Sequence, residues 1–245
     1  MQLAQARKQA VEFDFRSNYV DELDQVVDMQ AISAESRRRL DYRYRYRLIW
    51  PQGGIVKIID VIGDTPLVEI STPRESGKVF VKVESFNAGG SIKSRVAQHM
   101  VVHAEMEGQL HPGDTIVEPT GGNTGIGLAL AAAIRGYHFV ATVPDNYSAR
   151  RVNLLRVHGA EVHLSNSSLG NDSHIKLAKQ ILISHPEYVH LDQFTNLACI
   201  AAHYEGTGQE ILKKCVPDVF VCSVGSGATF TGVGRCLRDA KPKQI

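Results

Sequence analysis

The chain has 245 residues, enough for one large or two small domains with a substantial apolar core. Its 27 basic and 26 acidic residues give a formal net charge of +1, which provides no overall electrostatic basis for binding nucleic acid or an anionic membrane. The sequence has no apolar run of membrane-spanning length and no apolar segment of the signal-peptide type at its start, so we expect a cytoplasmic protein. The cysteines form no C-x-x-C pair and are interpreted as buried, reduced thiols: Cys199, Cys215, Cys222 and Cys236.

The first part of the chain differs in pattern from the rest. Helices are predicted at Ser17–Gln30 and Ser33–Leu40, and Tyr42–Arg47 alternates tyrosine with arginine at the period of a strand. Such a run can stack on nucleic acid bases, but an edge strand or a packing arm is the favoured interpretation. The glycine-rich stretch at 51–54 is a predicted hinge. We therefore expect an N-terminal extension at 1–54 and a motif-bearing region at 55–245.

From residue 55 onwards, predicted strands and helices alternate. The segment Ile55–Ile62 is predicted to be a strand or a short helix. Strands are predicted at Val79–Glu84, Thr115–Val117, Phe139–Val143, Glu161–Leu164, Tyr188–Leu191 and Val219–Cys222. Helices are predicted at Val96–Glu107, Ile126–Arg135, Ala149–Val157, Ser173–Ser184, Ala198–Lys213 and Thr229–Asp239. The alternation predicts an α/β fold, with a predominantly parallel sheet wrapped by helices.

One lysine occupies an unusual position for a structural residue. The stretch Val79–Arg95 reads VFVKVESFNAGGSIKSR, in which a strand-like pattern is followed by a glycine pair and by Ser91, a predicted N-cap. Lys93 is therefore expected in the first turn of a helix, where the partial positive charge favours loss of the ammonium proton. A neutral lysine amine is a nucleophile that forms Schiff bases with aldehydes. We treat Lys93 as a candidate nucleophile, with a solvated helix lysine as the alternative.

Two glycine- and hydroxyl-rich loops each open a predicted helix. The first, at 118–125, reads EPTGGNTG, and the second, at 223–232, reads SVGSGATFTG. Each follows a predicted strand, and such loops present backbone N–H groups to an anion. One loop suits a phosphate and the other a carboxylate.

Two other interpretations of these residues are weaker. A dinucleotide site is not favoured, because Gly225-Ser226-Gly227 lacks the third glycine at the required spacing and no acidic residue follows at ribose distance. His99 and His103 are four residues apart, the spacing of two zinc ligands on one helical face, but no H-E-x-x-H motif and no third ligand accompany them. We therefore predict no metal.

The order and content of these motifs resemble the fold type II pyridoxal-phosphate enzymes, within them the cysteine synthase and cystathionine β-synthase family. That family carries N-P-G-G-S-x-K-D-R around its Schiff-base lysine, P-T-S-G-N-T-G in its substrate loop and G-x-G-T-G-G-T-x-T-G in its phosphate loop. The likeness runs from about Ile59 to the C-terminus and includes Gly63-Asp64-Thr65-Pro66-Leu67, which resembles the family's G-x-T-P-L. The resemblance implies a tryptophan synthase β-like α/β fold in two subdomains, with the smaller, mobile one at about 86–195, and a homodimer.

The resemblance also implies roles for individual residues. Lys93 would hold pyridoxal 5'-phosphate as a Schiff base and later act as general base. The cofactor phosphate would be bound by Gly225, Ser226, Gly227, Ala228 and Thr229, and the ring hydroxyl by Asn123. The substrate carboxylate would be bound by Thr120, Gly121, Gly122, Asn123 and Thr124. Gln193 matches a further carboxylate ligand, although a plain surface glutamine is an equal alternative.

The implied reaction is β-replacement on a small amino acid. The substrate amine displaces Lys93 from the aldimine, the β-substituent departs to leave an aminoacrylate, and a nucleophile such as sulfide adds. The first hypothesis is a cysteine synthase-like conversion of O-acetylserine or a similar activated serine to cysteine. The alternatives are a cystathionine β-synthase-like lyase, and a truncated, non-catalytic or regulatory homologue that binds pyridoxal phosphate or a partner protein.

The sequence departs from the family pattern at several points. Ala88 stands where the family has proline, Ser94 where it has aspartate, and Gly121 where it has the serine of the substrate loop. The chain ends at Ile245, where family members continue, so we expect the C-terminal part of the fold to be missing. That part normally supplies the hydroxyl that bonds the pyridine nitrogen. Retention of the motifs favours the enzyme, whereas the missing part favours the non-catalytic alternative.

Overall fold

The computed structural model describes residues 58–71 and 77–240, all of which belong to one compact unit. The predictions for residues 1–54, including the tyrosine–arginine run and the hinge, lie outside the described residues. The first described element is a short 3-10 helix at Ile58–Val61, one of the two forms expected there. Within the described ranges, no helix is both long and apolar enough to cross a membrane.

Strands β1 (Leu67–Ile70) and β2 (Val79–Lys82) form an antiparallel pair in which Leu67 lies opposite Lys82. The predicted strand Val79–Glu84 therefore exists, but it belongs to this separate pair and does not join the parallel sheet. It ends at Lys82 because Glu84–Phe86 forms a turn of 3-10 helix.

The central sheet is parallel, with strand order β3 (Thr115–Glu118), β4 (His138–Pro144), β5 (Glu161–Ser165). Helices α2 (Asn123–Arg135) and α3 (Ala149–Val157) connect these strands, as the α/β prediction requires. Helix α2 ends at Gly136, whose φ of 80° gives the left-handed C-cap that glycine adopts without strain.

The parallel sheet lies between two layers of helix. Ile116, Phe139 and Val143 pack on the side of α1 (Lys93–Met106), α2 and α3, in the main apolar core. The alternate positions Val117 and Val140 pack on the other side, against α4 (Ser173–Ser184). Side chains alternate between the two faces of a strand, so a sheet covered on both faces shows the continuous apolar runs seen in this sequence.

Two predicted strands are wrong. Tyr188–Leu191 contributes a single parallel bridge, in which Val189 exchanges backbone hydrogen bonds with Thr115 and Val117 beside β3. Val219–Cys222 forms no strand, and the side chains of Val219 and Val221 are 76% and 85% exposed. A segment rich in β-forming residues becomes a strand only when a neighbouring strand pairs with its backbone. In the described part of the chain, no strand lies beside Val219–Cys222.

The last helices differ in detail from the prediction. The predicted helix Ala198–Lys213 is built of α5 (Ala198–Ala201), a π-helical turn (Ala202–Gly208) and α6 (Gln209–Leu212). Helix α7 (Ala228–Ala240) follows the second glycine-rich loop, as expected. A π-helical turn inside an α-helix frequently marks a functional site.

Candidate active site

Lys93 is the first residue of α1, at the place in the fold that the sequence predicted. The N-cap position is occupied by Ile92 and not by Ser91, but the Ser91 hydroxyl still accepts the Lys93 N–H at 3.2 Å. The Lys93 amine lies 3.2 Å from the hydroxyl oxygen of Ser226, to which it donates a hydrogen bond. The structure therefore joins the candidate nucleophile to the second glycine-rich loop, 133 residues further along the chain.

The surroundings of Lys93 favour the neutral amine. Burial lowers the pKa of Lys93, and only the charge of Cys199 opposes this. Burial also raises the pKa of Cys199 to about 12, so the thiol is uncharged near neutral pH and the opposing charge is absent there. Lys93 is therefore a half-buried amine whose proton is easier to remove than that of a surface lysine.

The second glycine-rich loop leads directly into α7. Gly227 has a φ of 82°, which glycine adopts freely, and a Cβ atom added at Gly225 or Gly227 would meet nothing within 4 Å. Ser226 is half-buried against Lys93, and Ala228, the first residue of α7, is buried. This region combines a helix start, open space and a nearby amine, which are the features of an anion site.

Thr229, on the first turn of α7, is held by a residue that the sequence analysis missed. Its hydroxyl lies 3.1 Å from Nε2 of His203, and Nδ1 of His203 lies 3.0 Å from the hydroxyl of Thr207. His203 is fully buried in the π-helical turn, and burial, followed by the charges of Lys93 and Arg95, lowers its pKa to about 3. The ring is therefore neutral and orients Thr229 without contributing charge.

The first glycine-rich loop connects β3 to α2, and its residues fall as follows. Thr120 and Gly121 are buried, Gly122 is the N-cap of α2, and Asn123 is exposed at the first helical position. Thr124 is buried and donates its hydroxyl proton to the side-chain oxygen of Gln193 at 2.7 Å. This contact brings Gln193 to the predicted substrate loop, where a plain surface glutamine would not lie.

Glu118 fixes the position of Gln193, a function that the sequence analysis did not assign to it. Its carboxylate, 1% exposed at the end of β3, accepts the backbone N–H groups of Asp192 and Gln193 at 3.1 Å each. Asp192 adopts a φ of 50°, which is uncommon for a residue other than glycine and is supported by these bonds. His190 lies 3.4 Å from the same carboxylate. The sequence feature that could have identified Glu118 is a carboxylate at the end of a buried parallel strand.

A second buried network lies two residues beyond Lys93 on α1. Arg95 is 3% exposed and binds the carboxylates of Glu84 and Glu210 at distances between 2.6 and 3.0 Å. Lys82 completes the network with a 2.6 Å bond to Glu210. The side chains tie β2 and the 3-10 turn that follows it to the start of α1 and to α6, so they hold the backbone on which Lys93 is mounted.

Histidines and other metal-binding side chains are dispersed across the part of the chain that the structure describes. No group of three histidine, cysteine, aspartate or glutamate residues is placed there to hold a metal ion. Nδ1 of His99 donates to the carbonyl oxygen of Arg95 at 3.1 Å, and Nδ1 of His103 lies 3.5 Å from the carboxylate of Glu107. The two histidines with zinc-like spacing are engaged with local partners of their own.

The described residues fit pyridoxal phosphate. An aldehyde requires an accessible amine with a lowered pKa, which Lys93 supplies. A phosphate requires N–H and hydroxyl donors at a helix start, which the loop from Gly225 to Thr229 can provide beside that amine. The two predicted binding loops therefore lie in places where they can serve one cofactor and one substrate.

Comparison with known proteins gives the same family. The family model described as "Pyridoxal-phosphate dependent enzyme" matches residues 58–245. The chain is 42% identical over 196 residues to cystathionine beta-synthase of Dictyostelium discoideum, covering 77% of this chain and 39% of that protein. It is 40% identical over 196 residues to a probable cysteine synthase of Bacillus subtilis, covering 77% of this chain and 63% of that protein.

The solved structures agree with the sequence relatives. A hydrogen sulfide-producing enzyme from Fusobacterium nucleatum superimposes with a TM-score of 0.73 at 37% identity, over 78% of this chain and 64% of that one. The chain thus spans between 39% and 64% of the length of these proteins. The predicted fold type II architecture and the pyridoxal-phosphate cofactor of the family are confirmed, and the chain belongs to the pyridoxal-phosphate dependent enzyme family, among relatives that are cysteine synthases and cystathionine beta-synthases.

Proposed function

We propose that this chain catalyses β-replacement as a cysteine synthase, converting O-acetylserine and sulfide to cysteine and acetate. The observation that carries the proposal is the hydrogen bond between the Lys93 amine and Ser226, at 3.2 Å. It joins an amine of lowered pKa to a loop suited to a phosphate, and these are the two attachment points that pyridoxal phosphate requires.

The cofactor, when bound, supplies the electron sink that makes the α-proton of an amino acid removable. The protein supplies the base: Lys93 takes that proton on Nζ, and its lowered pKa favours the neutral, proton-accepting form of the amine. Ser226 orients the amine through its hydroxyl. The residues from Gly225 to Thr229 bind the phosphate through N–H and hydroxyl groups, and Asn123 bonds the ring hydroxyl.

The substrate carboxylate is bound at the start of α2 in this proposal. The donors are the backbone N–H groups of the first helical turn, that of Thr124 included, and the hydroxyl of Thr120, beside Gly121 and Gly122. Gln193 accepts the Thr124 proton through its side-chain oxygen, which leaves its amide group as a donor for the carboxylate. Support comes from the position of Gln193, which Glu118 holds against this loop.

A second candidate is replacement of the hydroxyl of serine by the thiol of another amino acid, with release of water. It is favoured by relatives named cystathionine beta-synthase, which are 41% to 43% identical to this chain, about as similar as the cysteine synthases at 40% to 42%. The two reactions differ in the leaving group and in the nucleophile, so a substrate panel separates them.

The expected homodimer and cytoplasmic location belong to the same proposal, and light scattering after size-exclusion chromatography tests the assembly.

The first test is cofactor attachment. We expect the purified chain to take up pyridoxal phosphate with a visible absorbance band, and borohydride reduction followed by peptide mass spectrometry to place the label on Lys93. The Lys93→Ala variant should show neither, whereas Lys179→Ala, which removes an exposed lysine of α4, should behave as the wild type. A label distributed over several lysines would contradict the assignment.

The second test is turnover. Cysteine formation from O-acetylserine and sulfide supports the first candidate, and product formed only from serine and a thiol amino acid supports the second. A chain that binds the cofactor on Lys93 but converts neither pair is a binding homologue and not an enzyme.

A further inference from the structure

A cavity of about 270 Å³ lies between the parallel sheet and the end of α4. On the sheet side it is lined by Val140 and Glu161, which lie opposite each other on β4 and β5, and by His163 two residues further along β5. On the helix side it is lined by the last turn of α4 and the segment that follows, with His185 and Tyr188. The first glycine-rich loop leaves the carboxyl end of β3, whereas this cavity lies at the start of β5, so it is separate from the candidate active site.

The charge around the cavity favours a cation. The eight described residues that line it include the carboxylate of Glu161 but no lysine or arginine. The last turn of α4 carries no basic residue, although the carbonyl groups at a helix C-terminus bear partial negative charge. Glu187 adds a second carboxylate just outside the lining. A cationic ligand would therefore meet a carboxylate and the negative end of a helix in the same space.

The polar groups of the cavity retain capacity to accept hydrogen bonds. Glu161 accepts one bond on Oε1, from Nε2 of His163 at 2.6 Å, and a carboxylate can accept about four. Ser184 donates its own proton to the carbonyl oxygen of Gln180 at 3.1 Å, so its hydroxyl oxygen can still accept. These groups suit a ligand that brings several N–H donors.

Two stacked rings form part of the cavity lining. The rings of His185 and Tyr188 lie 4.5 Å apart between centroids, with their planes 11° from parallel. A guanidinium group is planar and weakly hydrated and stacks on aromatic faces, whereas an ammonium is compact and strongly hydrated. The volume of the cavity is just below the range of about 300–1,000 Å³ that holds drug-sized ligands, so it suits a small molecule. Shape and charge together favour a planar cation.

We propose that this cavity is a binding site for a small molecule that carries a guanidinium group. The fork of N–H donors on a guanidinium matches the carboxylate of Glu161, and its plane matches the stacked rings of His185 and Tyr188. The ligand is opposite in charge to the phosphate and carboxylate groups that the glycine-rich loops suit. The site uses neither Lys93 nor the substrate loop, so the inference does not depend on the proposed function.

The test compares two probes of nearly the same shape. N-butylguanidinium carries the charge, and N-butylurea has the same alkyl chain and a planar head but no charge. Neither has an amine that reacts with an aldehyde, so calorimetry at pH 8 can use the full chain loaded with pyridoxal phosphate. We expect the dissociation constant of N-butylguanidinium to be at least about tenfold lower than that of N-butylurea, because only the cation forms a charge-assisted pair with a carboxylate.

Variants of exposed residues place the probe in the cavity. Glu161→Gln should weaken binding of N-butylguanidinium about tenfold and leave N-butylurea unchanged. His185→Ala, which removes one ring of the stack, should weaken binding of the cation severalfold. Glu187→Gln is the matched control, since it removes an equal charge beside the cavity from a residue that does not line it, and it should change the dissociation constant less than about threefold.

Three results would overturn the inference. Equal affinity for the two probes would show that the cavity does not select charge, and no binding of N-butylguanidinium would show that it is not a site for this group. Equal losses in Glu161→Gln and Glu187→Gln would show a general attraction of the surface for cations. Turnover is not part of the measurement, so a chain that forms no cysteine can still bind the cation as expected.

Discussion

The hydroxyl oxygen of Thr229 lies 3.1 Å from Nε2 of His203, so the start of α7 is bonded to the π-helical turn. The two elements also pack closely, because a Cβ atom at Gly232 would lie 2.7 Å from Cβ of His203 and one at Gly208 would lie 2.7 Å from Sγ of Cys236. In one tautomer of His203, Nδ1 accepts the Thr207 proton and Nε2–H donates to the Thr229 hydroxyl oxygen. The Thr229 proton is then available to an anion. A bound phosphate therefore favours this tautomer of the buried, neutral ring.

Replacing His203 should weaken cofactor binding. His203→Leu removes the group that orients the Thr229 hydroxyl, and we expect the dissociation constant for pyridoxal phosphate to rise about tenfold. Equilibrium dialysis measures it, and denaturant unfolding of the cofactor-free protein gives the accompanying change in stability. Thr207→Val, which removes only the outer bond of the relay, should give a smaller rise. An unchanged dissociation constant in a folded His203→Leu protein would contradict the relay.

Replacing Glu118 should loosen the turn that carries Gln193. In Glu118→Gln the amide group opposes one of the two backbone N–H groups that the carboxylate accepts, and leaving a buried donor unpaired costs about 1–3 kcal/mol. We expect this loss in the free energy of unfolding, and also weaker binding of amino-acid ligands. Asp145→Asn is the control, because Asp145 accepts the Ser167 N–H at the end of the neighbouring strand but is exposed, so its effect should be much smaller. Equal effects of the two substitutions would show that burial of Glu118 is not what makes its bonds matter.

Residues that lie in contiguous motifs were predictable from the sequence, whereas residues that act across the fold were not. Lys93 and both glycine-rich loops are recognisable because a glycine, a hydroxyl and a helix start appear within a few positions of one another. Glu118 was visible as the start of the first glycine-rich loop, but the residues whose N–H groups it accepts lie 74 and 75 positions away, and no local pattern points to them. His203 is a lone histidine in a predicted helix, and only the π-helical turn and the packing of α7 give it a function.

The wrong strand predictions have the same physical origin. Val219–Cys222 has the composition of a buried strand, yet a strand is stable only when another strand satisfies its backbone groups. Helices α2 and α3 were predicted well because each connects two strands that lie side by side and buries one apolar face. Local pattern therefore identified the elements of this fold, and pairing decided which of them formed.

The contact between α1 and α2 should not tolerate a methyl group. A Cβ atom at Gly127 would lie 2.9 Å from the Lys93 carbonyl oxygen and 2.9 Å from Cβ of Ala97. Gly127→Ala should therefore lower the free energy of unfolding by about 1–3 kcal/mol and displace the turn that carries Lys93, with weaker uptake of the cofactor. Gly234→Ala, on α7, meets nothing within 4 Å and should raise the stability by about 0.5–1 kcal/mol, since alanine favours a helix. Denaturant unfolding of both variants checks the sign of each change, and two changes of the same sign would contradict the packing argument.

The network around Arg95 should make the stability of the protein depend on acid pH. Burial on its own raises the pKa of Glu210, but hydrogen bonds and charge from Arg95, with further bonds from Lys82 and Asp64, outweigh it and lower the pKa to about 2. A lowered carboxyl pKa stabilises the folded state above the ordinary value of 4.5, and this stabilisation is lost as the pH falls from there towards 2. Glu210→Gln leaves the buried Arg95 guanidinium with one carboxylate partner instead of two. We therefore expect the free energy of unfolding at pH 7 to fall by about 3 kcal/mol.

The pH profile distinguishes this charge effect from a simple loss of packing. The difference in unfolding free energy between the wild type and Glu210→Gln should be constant above pH 5 and shrink towards pH 2, because the wild-type carboxylate becomes protonated over that range. Glu69→Gln is the control, since it breaks the exposed ion pair with Lys78 at 3.9 Å and should change stability by less than about 0.5 kcal/mol. If the wild type and Glu210→Gln instead lose stability in parallel down to pH 2, the ionised form of Glu210 is not what holds Arg95 in place.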